Sequence, residues 1–241
     1  FNLIEKVIIL LLFIYLATTF YLFGGYQEYL IFFCFFCFSY FLVYLNKNNI
    51  FYKKNLFPEL ILLLIVNIMF WTKQEGFFYS IILSFIYLFF IRRVLIYKLI
   101  YFSLFLSIFF LFLYIKIYYF EAVNFNEKII NEELYKNLDI KYLTIKILLI
   151  SKYMIISFFK YPIWLLIFIA FFLLKKNTDF SRKNYFFFPA ILIFFSFIFA
   201  IFLQTSMDLN FLLPVTLNRL IFAISGFFII LPVEYLSKLK K

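Results

Sequence analysis

Histidine is absent from the 241 residues, and only 15% of positions carry charge. Without an imidazole, His-based acid–base catalysis, haem ligation by His and most zinc sites are excluded, and no metal or cofactor is expected. Cysteine is confined to Cys34 and Cys37. Their Cys-Phe-Phe-Cys spacing has the outline of a redox pair, but both lie in an apolar run without a neighbouring cation, where thiols behave as small inert hydrophobes. Glycine occurs four times, few for the broken helices from which transporters build midplane sites. Acidic residues number 12 against 23 Lys plus Arg, a net charge of +11. Because the basic residues are scattered between apolar runs, they argue for loops facing anionic lipid and against nucleic-acid binding.

What fills the chain is hydrocarbon: 67% of residues are hydrophobic and the mean hydropathy is +1.03. A soluble domain, about half apolar, could not bury that much surface. Apolar runs of roughly 17 to 25 residues recur between short polar clusters, the length at which an α-helix crosses hydrocarbon. A β-barrel is excluded because its strands alternate apolar and polar residues, and runs such as Tyr101 to Tyr114 do not. The 43 Phe and 20 Tyr accompany abundant Ile, Lys and Asn, as AT-rich coding produces. Most are expected to face lipid or sit in interfacial belts rather than bind a ligand.

The expected fold is all-α, a polytopic integral membrane protein forming one transmembrane domain over residues 1–241, with about eight transmembrane helices and one interfacial amphipathic helix. The spans are read as Lys6 to Phe23, Glu28 to Leu45, Pro58 to Trp71, a fourth ending at Ile91, and Lys98 to Lys116. A sixth closes at Leu174 and kinks near Lys160-Tyr161-Pro162, a seventh covers Tyr185 to Leu203, and the eighth begins at Arg219 after a polar link from Gln204 to Asn218. Pro58 and Glu59 suit a first helical turn. Within the polar segment Glu121 to Lys146, Phe125, Ile129, Ile130, Leu134 and Leu138 recur at helical spacing, as in a helix lying on the membrane surface. The chain opens on Phe1 and runs almost at once into apolar sequence, which suggests an N-terminally incomplete chain; no small-residue cleavage site marks the first run as a signal peptide.

Positive-inside counting places the loops with Lys53-Lys54, Arg92-Arg93 and Lys175-Lys176, and the tail Lys238 to Lys241, on the cytoplasmic side. The Thr72 to Gly76 link, the Glu121 to Lys146 segment and the link containing Asp208 then fall outside. Lys152 and Lys160 are expected to snorkel to headgroups, and Asn67 to hydrogen-bond a neighbouring helix.

Thr72-Lys73-Gln74-Glu75-Gly76 pairs a cation with a carboxylate at the membrane surface, as binding of a phosphate at headgroup depth requires. The pattern resembles the Lys-x-Glu-Gly signature of bacterial GT-C glycosyltransferases, polytopic enzymes that use polyprenyl-phosphate sugars. Asp208-Leu209-Asn210 through Leu217-Asn218-Arg219-Leu220 is similar to the polar link with a terminal Arg that opens a late span in such proteins. The resemblance implies that Lys73 and Arg219 neutralise the donor's lipid phosphate. It gives Glu75 and Asp208 the catalytic role of orienting an acceptor hydroxyl or sugar on the outer face of a bacterial plasma membrane. The family's catalytic acid in the first outer loop has no counterpart before Glu28, so it is expected upstream of Phe1. A transporter or flippase of lipid-linked saccharides and a structural membrane subunit are the alternative functions.

Overall fold

A computed structural model describes residues 26–47, 56–72, 74–118, 140–175, 185–204 and 209–238. In chain order the helices are α1 (Tyr26–Lys47), α2 (Phe57–Thr72), α3 (Gln74–Phe90), α4 (Leu95–Tyr118), α5 (Ile140–Lys160), α6 (Pro162–Lys175), α7 (Phe187–Gln204) and α8 (Leu209–Leu212). A π turn (Leu213–Leu217), α9 (Asn218–Phe228) and α10 (Ile230–Lys238) complete them. No strand occurs among the described residues. The apolar runs among the described residues therefore form helices, as their length and lack of alternation require.

Among the described residues, three helical segments are long and apolar enough to cross a membrane: Gln27–Leu45, Leu95–Lys116 and Leu209–Leu236. The pair Leu143–Lys160 and Pro162–Leu174 makes a fourth if counted as one span. Phe57–Thr72, Glu75–Phe90 and Phe187–Leu203 are apolar but shorter; sixteen residues rise about 24 Å, against a hydrocarbon core of about 30 Å. The expected first span, Lys6 to Phe23, lies outside the described residues. So does most of the Glu121 to Lys146 segment, whose last residues belong to α5 instead.

One expectation is sharpened and another changes. The sixth span bends at the expected Lys160-Tyr161-Pro162 position, its two arms meeting at 90°. Pro162 opens α6, where its missing N–H is harmless, and disfavours helical backbone at Tyr161 before it. The link from Gln204 to Asn218 is not a loop throughout: from Leu209 onward it is helical and continuous with the eighth span. Leu209, Leu212, Leu213 and Leu217 supply an apolar face, three of them buried. Pro214 is accommodated by the wider π turn, which absorbs a lost hydrogen bond that would break a regular helix.

The Leu209–Leu236 rod is the centre of the bundle, with 78% of its apolar window buried, whereas α4 buries 17% and presents most of its surface outward. Outward residues such as Leu64, Phe89, Leu148, Phe159 and Phe188 are apolar, as a surface solvated by lipid requires. Aromatic rings also fill the interior, beside those that face outward. Phe35 packs edge-on against Phe194 at 5.3 Å and Tyr79 at 5.0 Å, and Phe32 stacks on Phe222 at 4.9 Å. In a bilayer, helices gain little from leaving an equally apolar solvent, so close ring contacts and small residues hold them together.

Small residues set two close crossings. Helices α1 and α9 run parallel, and a Cβ built at Gly226 would collide with the carbonyl oxygen of Phe32. Since backbone cannot swing aside as a side chain can, Gly226→Ala is expected to cost about 1–3 kcal/mol, read as a lower unfolding temperature in detergent. Gly76 sits equally close to the Met69 carbonyl at the α2–α3 crossing. On the same face Ser80 donates its single proton between the carbonyls of Gly76 (2.8 Å) and Val66 (3.1 Å). Ser84 shares a hydrogen bond of 3.0 Å with the Tyr101 hydroxyl of α4. The glycine of the Lys-x-Glu-Gly stretch thus has a packing reason of its own.

Candidate functional site

A cleft opens where α1 and α3 begin and the π turn passes into α9. Glu28, Ile31, Glu75, Tyr79, Thr216, Arg219, Leu220 and Ala223 line it, around an empty volume of about 260 Å³ that includes its open mouth. Glu28 and Glu75 occupy the first turns of α1 and α3, where the positive ends of the helix dipoles favour carboxylates. The Arg219 guanidinium pairs with the buried Glu28 carboxylate through Nη2. Its side chain is 33% exposed, against 6% for Glu28. Nη2 makes the bond to Glu28, so donors remain on a fork that holds five.

The rod is braced just before Arg219. Asn218 is buried, donates from its amide to the carbonyl of Pro214 and accepts a 2.6 Å hydrogen bond from Ser157 of α5. One side chain therefore satisfies a π-turn carbonyl and ties the turn to a second helix. This fixes where the Arg219 stem leaves the rod.

A second buried ion pair lies at the other end of the α2–α3 hairpin, roughly 18 Å further along α3 by helical rise. Arg93, in the link after α3, meets Glu59 with Nε–Oε1 at 2.7 Å and Nη2–Oε2 at 3.3 Å, and the Tyr87 hydroxyl donates to the same carboxylate at 2.8 Å. Both charged side chains are almost fully buried, at 2% and 1%. With Arg93 also over the Tyr97 ring at 4.2 Å, this cluster is closed and fully partnered, a fastener rather than a receptor. Arg93 is correspondingly neutralised rather than a free loop cation.

Of the four residues singled out from the sequence, the fold brings Glu75 and Arg219 into one cleft although 144 positions separate them (219 − 75). Lys73 and Asp208 lie outside the described residues. Glu28, Tyr79 and Thr216 were not singled out. Glu28 had a legible signal, a carboxylate inside the first turn of an apolar span, where an ionisable group is costly unless paired or functional. Asn67 accepts from Trp71 of its own helix at 3.2 Å rather than from a neighbouring helix, and Lys152 and Lys160 are exposed, as snorkelling requires. Among the described residues no group of His, Cys, Asp or Glu is arranged to hold a metal ion.

Fold and cleft together define an α-helical membrane protein with a mixed-charge pocket at one end of its bundle. Comparison with protein-family models, with curated proteins and with solved structures finds no match to this chain.

Proposed function

We propose that the chain is a membrane-embedded glycosyltransferase that moves a sugar from a polyprenyl-phosphate carrier to an envelope acceptor on the outer face of a bacterial plasma membrane. The observation that carries the reading is the convergence of Glu75 and Arg219 with Glu28 in one cleft. Two carboxylates and an incompletely used guanidinium are the groups such a transfer needs. An acceptor hydroxyl attacks the anomeric carbon and the bond from that carbon to the phosphate oxygen breaks. Its electron pair leaves with polyprenyl phosphate, and the hydroxyl proton passes to a carboxylate. Glu75 is the proton acceptor in this scheme, because it lines the cleft and is less buried than Glu28. Arg219, with Lys73 two residues before Glu75, neutralises the charge developing on the leaving phosphate.

The same reading gives the full chain about eight spans, basic loops in the cytoplasm and this cleft outside. Support for the sidedness is that Glu75 and Arg93 occupy opposite ends of the α2–α3 hairpin. Glu75→Gln removes the proton acceptor while keeping its shape. In proteoliposomes supplied with polyprenyl-phosphate sugars and membrane acceptors, wild-type protein is expected to release polyprenyl phosphate, and Glu75→Gln to release it at least about 100-fold more slowly. Equal rates for the two proteins would overturn the reading.

A further inference from the structure

Tyr79 lies one helical turn after Glu75 on α3 and lines the same cleft. Its side chain is completely buried, and its hydroxyl has no hydrogen-bond partner among the described residues. The ring cannot easily turn away. Phe35 packs edge-on at 5.0 Å, Phe197 at 5.8 Å and Phe194 at 6.4 Å. Other buried hydroxyls of the bundle are satisfied: Tyr87 by Glu59, Tyr101 by Ser84 and Ser157 by Asn218. A buried polar group left without a partner is costly. A phenylalanine would pack as well here at no such cost, so the hydroxyl calls for an acceptor that enters the cleft.

The cleft narrows the choice of that acceptor. Behind its open mouth the cleft encloses only about 10 Å³, room for a single water-sized group, so one oxygen of a ligand reaches its base and a saccharide ring does not. Arg219 lines the same space, and the N-terminal dipoles of α1 and α3 offset part of the negative charge that Glu28 and Glu75 place there. We infer that Tyr79 is a further binding residue of the cleft, its hydroxyl donating to an oxygen of a lipid-linked phosphate that Arg219 holds by charge. This rests on the donor-phosphate reading above and adds a neutral donor that selects for an oxyanion at the base of the cleft.

Dodecyl phosphate is the probe, titrated against purified full-length protein in zwitterionic nanodiscs, with wild type, Tyr79→Phe and Arg219→Ala compared. Tyr79→Phe is expected to unfold at or slightly above the wild-type temperature without ligand, because the substitution removes an unsatisfied group, and to bind the probe about tenfold more weakly, as loss of a hydrogen bond to a charged acceptor entails. Arg219→Ala is expected to bind it weaker still. Wild-type affinity in Tyr79→Phe with loss in Arg219→Ala would overturn the role of Tyr79 and leave the phosphate reading standing. Reduced thermal stability of Tyr79→Phe with unchanged affinity would make the hydroxyl structural and overturn it too. No binding by wild type would overturn both.

Discussion

Arg219→Ala is expected to slow transfer from a polyprenyl-phosphate sugar by about 100- to 1,000-fold, the effect of deleting one preorganised charge donor from a site where negative charge develops. The loss should fall mainly on the turnover rate, since charge builds on the phosphate oxygen as the glycosidic bond breaks. Arg219→Lys keeps the charge but loses the planar fork, so it is expected to recover only part of the rate. Stability should fall as well, because the buried Glu28 carboxylate loses the Arg219 charge. With Arg219 one-third exposed, that cost is about 2 kcal/mol, below the range for fully buried pairs. Initial rates at saturating donor, together with thermal unfolding in detergent, separate the two effects.

Arg93→Ala is expected to be the most destabilising single change, at about 3–5 kcal/mol, with no direct effect on the cleft. Glu59 would then be a buried carboxylate supported only by the Tyr87 hydroxyl, and breaking a pair this deeply buried leaves an uncompensated charge. Arg93→Lys should not rescue it, because the two parallel bonds to Oε1 and Oε2 need the guanidinium geometry. Replacing both partners by Met removes the charge problem and should restore most of the stability. Thermal unfolding of the four proteins, and their abundance in membranes, would check the series. A loss below about 1 kcal/mol for Arg93→Ala would place the pair among surface ion pairs instead.

The contrast between these two ion pairs explains how much of the molecule could be read before the fold was known. Hydropathy made the helices legible, because a span must be apolar along its whole length; α1, α2, α3, α4 and α7 begin and end within a few residues of the expected limits. The 90° bend was marked by Lys160-Tyr161-Pro162, though a proline signals only that the helix is interrupted, not through what angle. The helical run from Leu209 was hidden by Asn210, Pro214, Thr216 and Asn218, which read as a polar link until their partners are known. Asn218 is polar because it ties a π turn to Ser157, a reason invisible without the neighbouring helix.

The site was legible in part for the same reason. Glu75 and Arg219 stood out as charges at the ends of apolar runs, but their meeting depends on the parallel packing of α9 on α1, which Gly226 permits. Arg93 and Arg219 look alike in sequence, each a basic residue beside a span. Burial distinguishes them: Arg93 is enclosed with both partners, and Arg219 keeps a side open to the cleft. Tyr79 is one of 20 tyrosines, and nothing but its unsatisfied hydroxyl sets it apart.

Whether the Glu28–Arg219 pair is a site or merely a bolt between α1 and α9 is tested most directly by replacing both residues with methionine. A buried ion pair exchanged for well-packed apolar residues is often neutral or stabilising, so Glu28→Met/Arg219→Met should fold and insert as the wild type does. If the pair serves sugar transfer, the double variant unfolds within a few degrees of wild type and releases no polyprenyl phosphate from the lipid-linked donor. Release at the wild-type rate by the same stable protein would show that the pair only fastens helices, and would contradict the function proposed for the cleft.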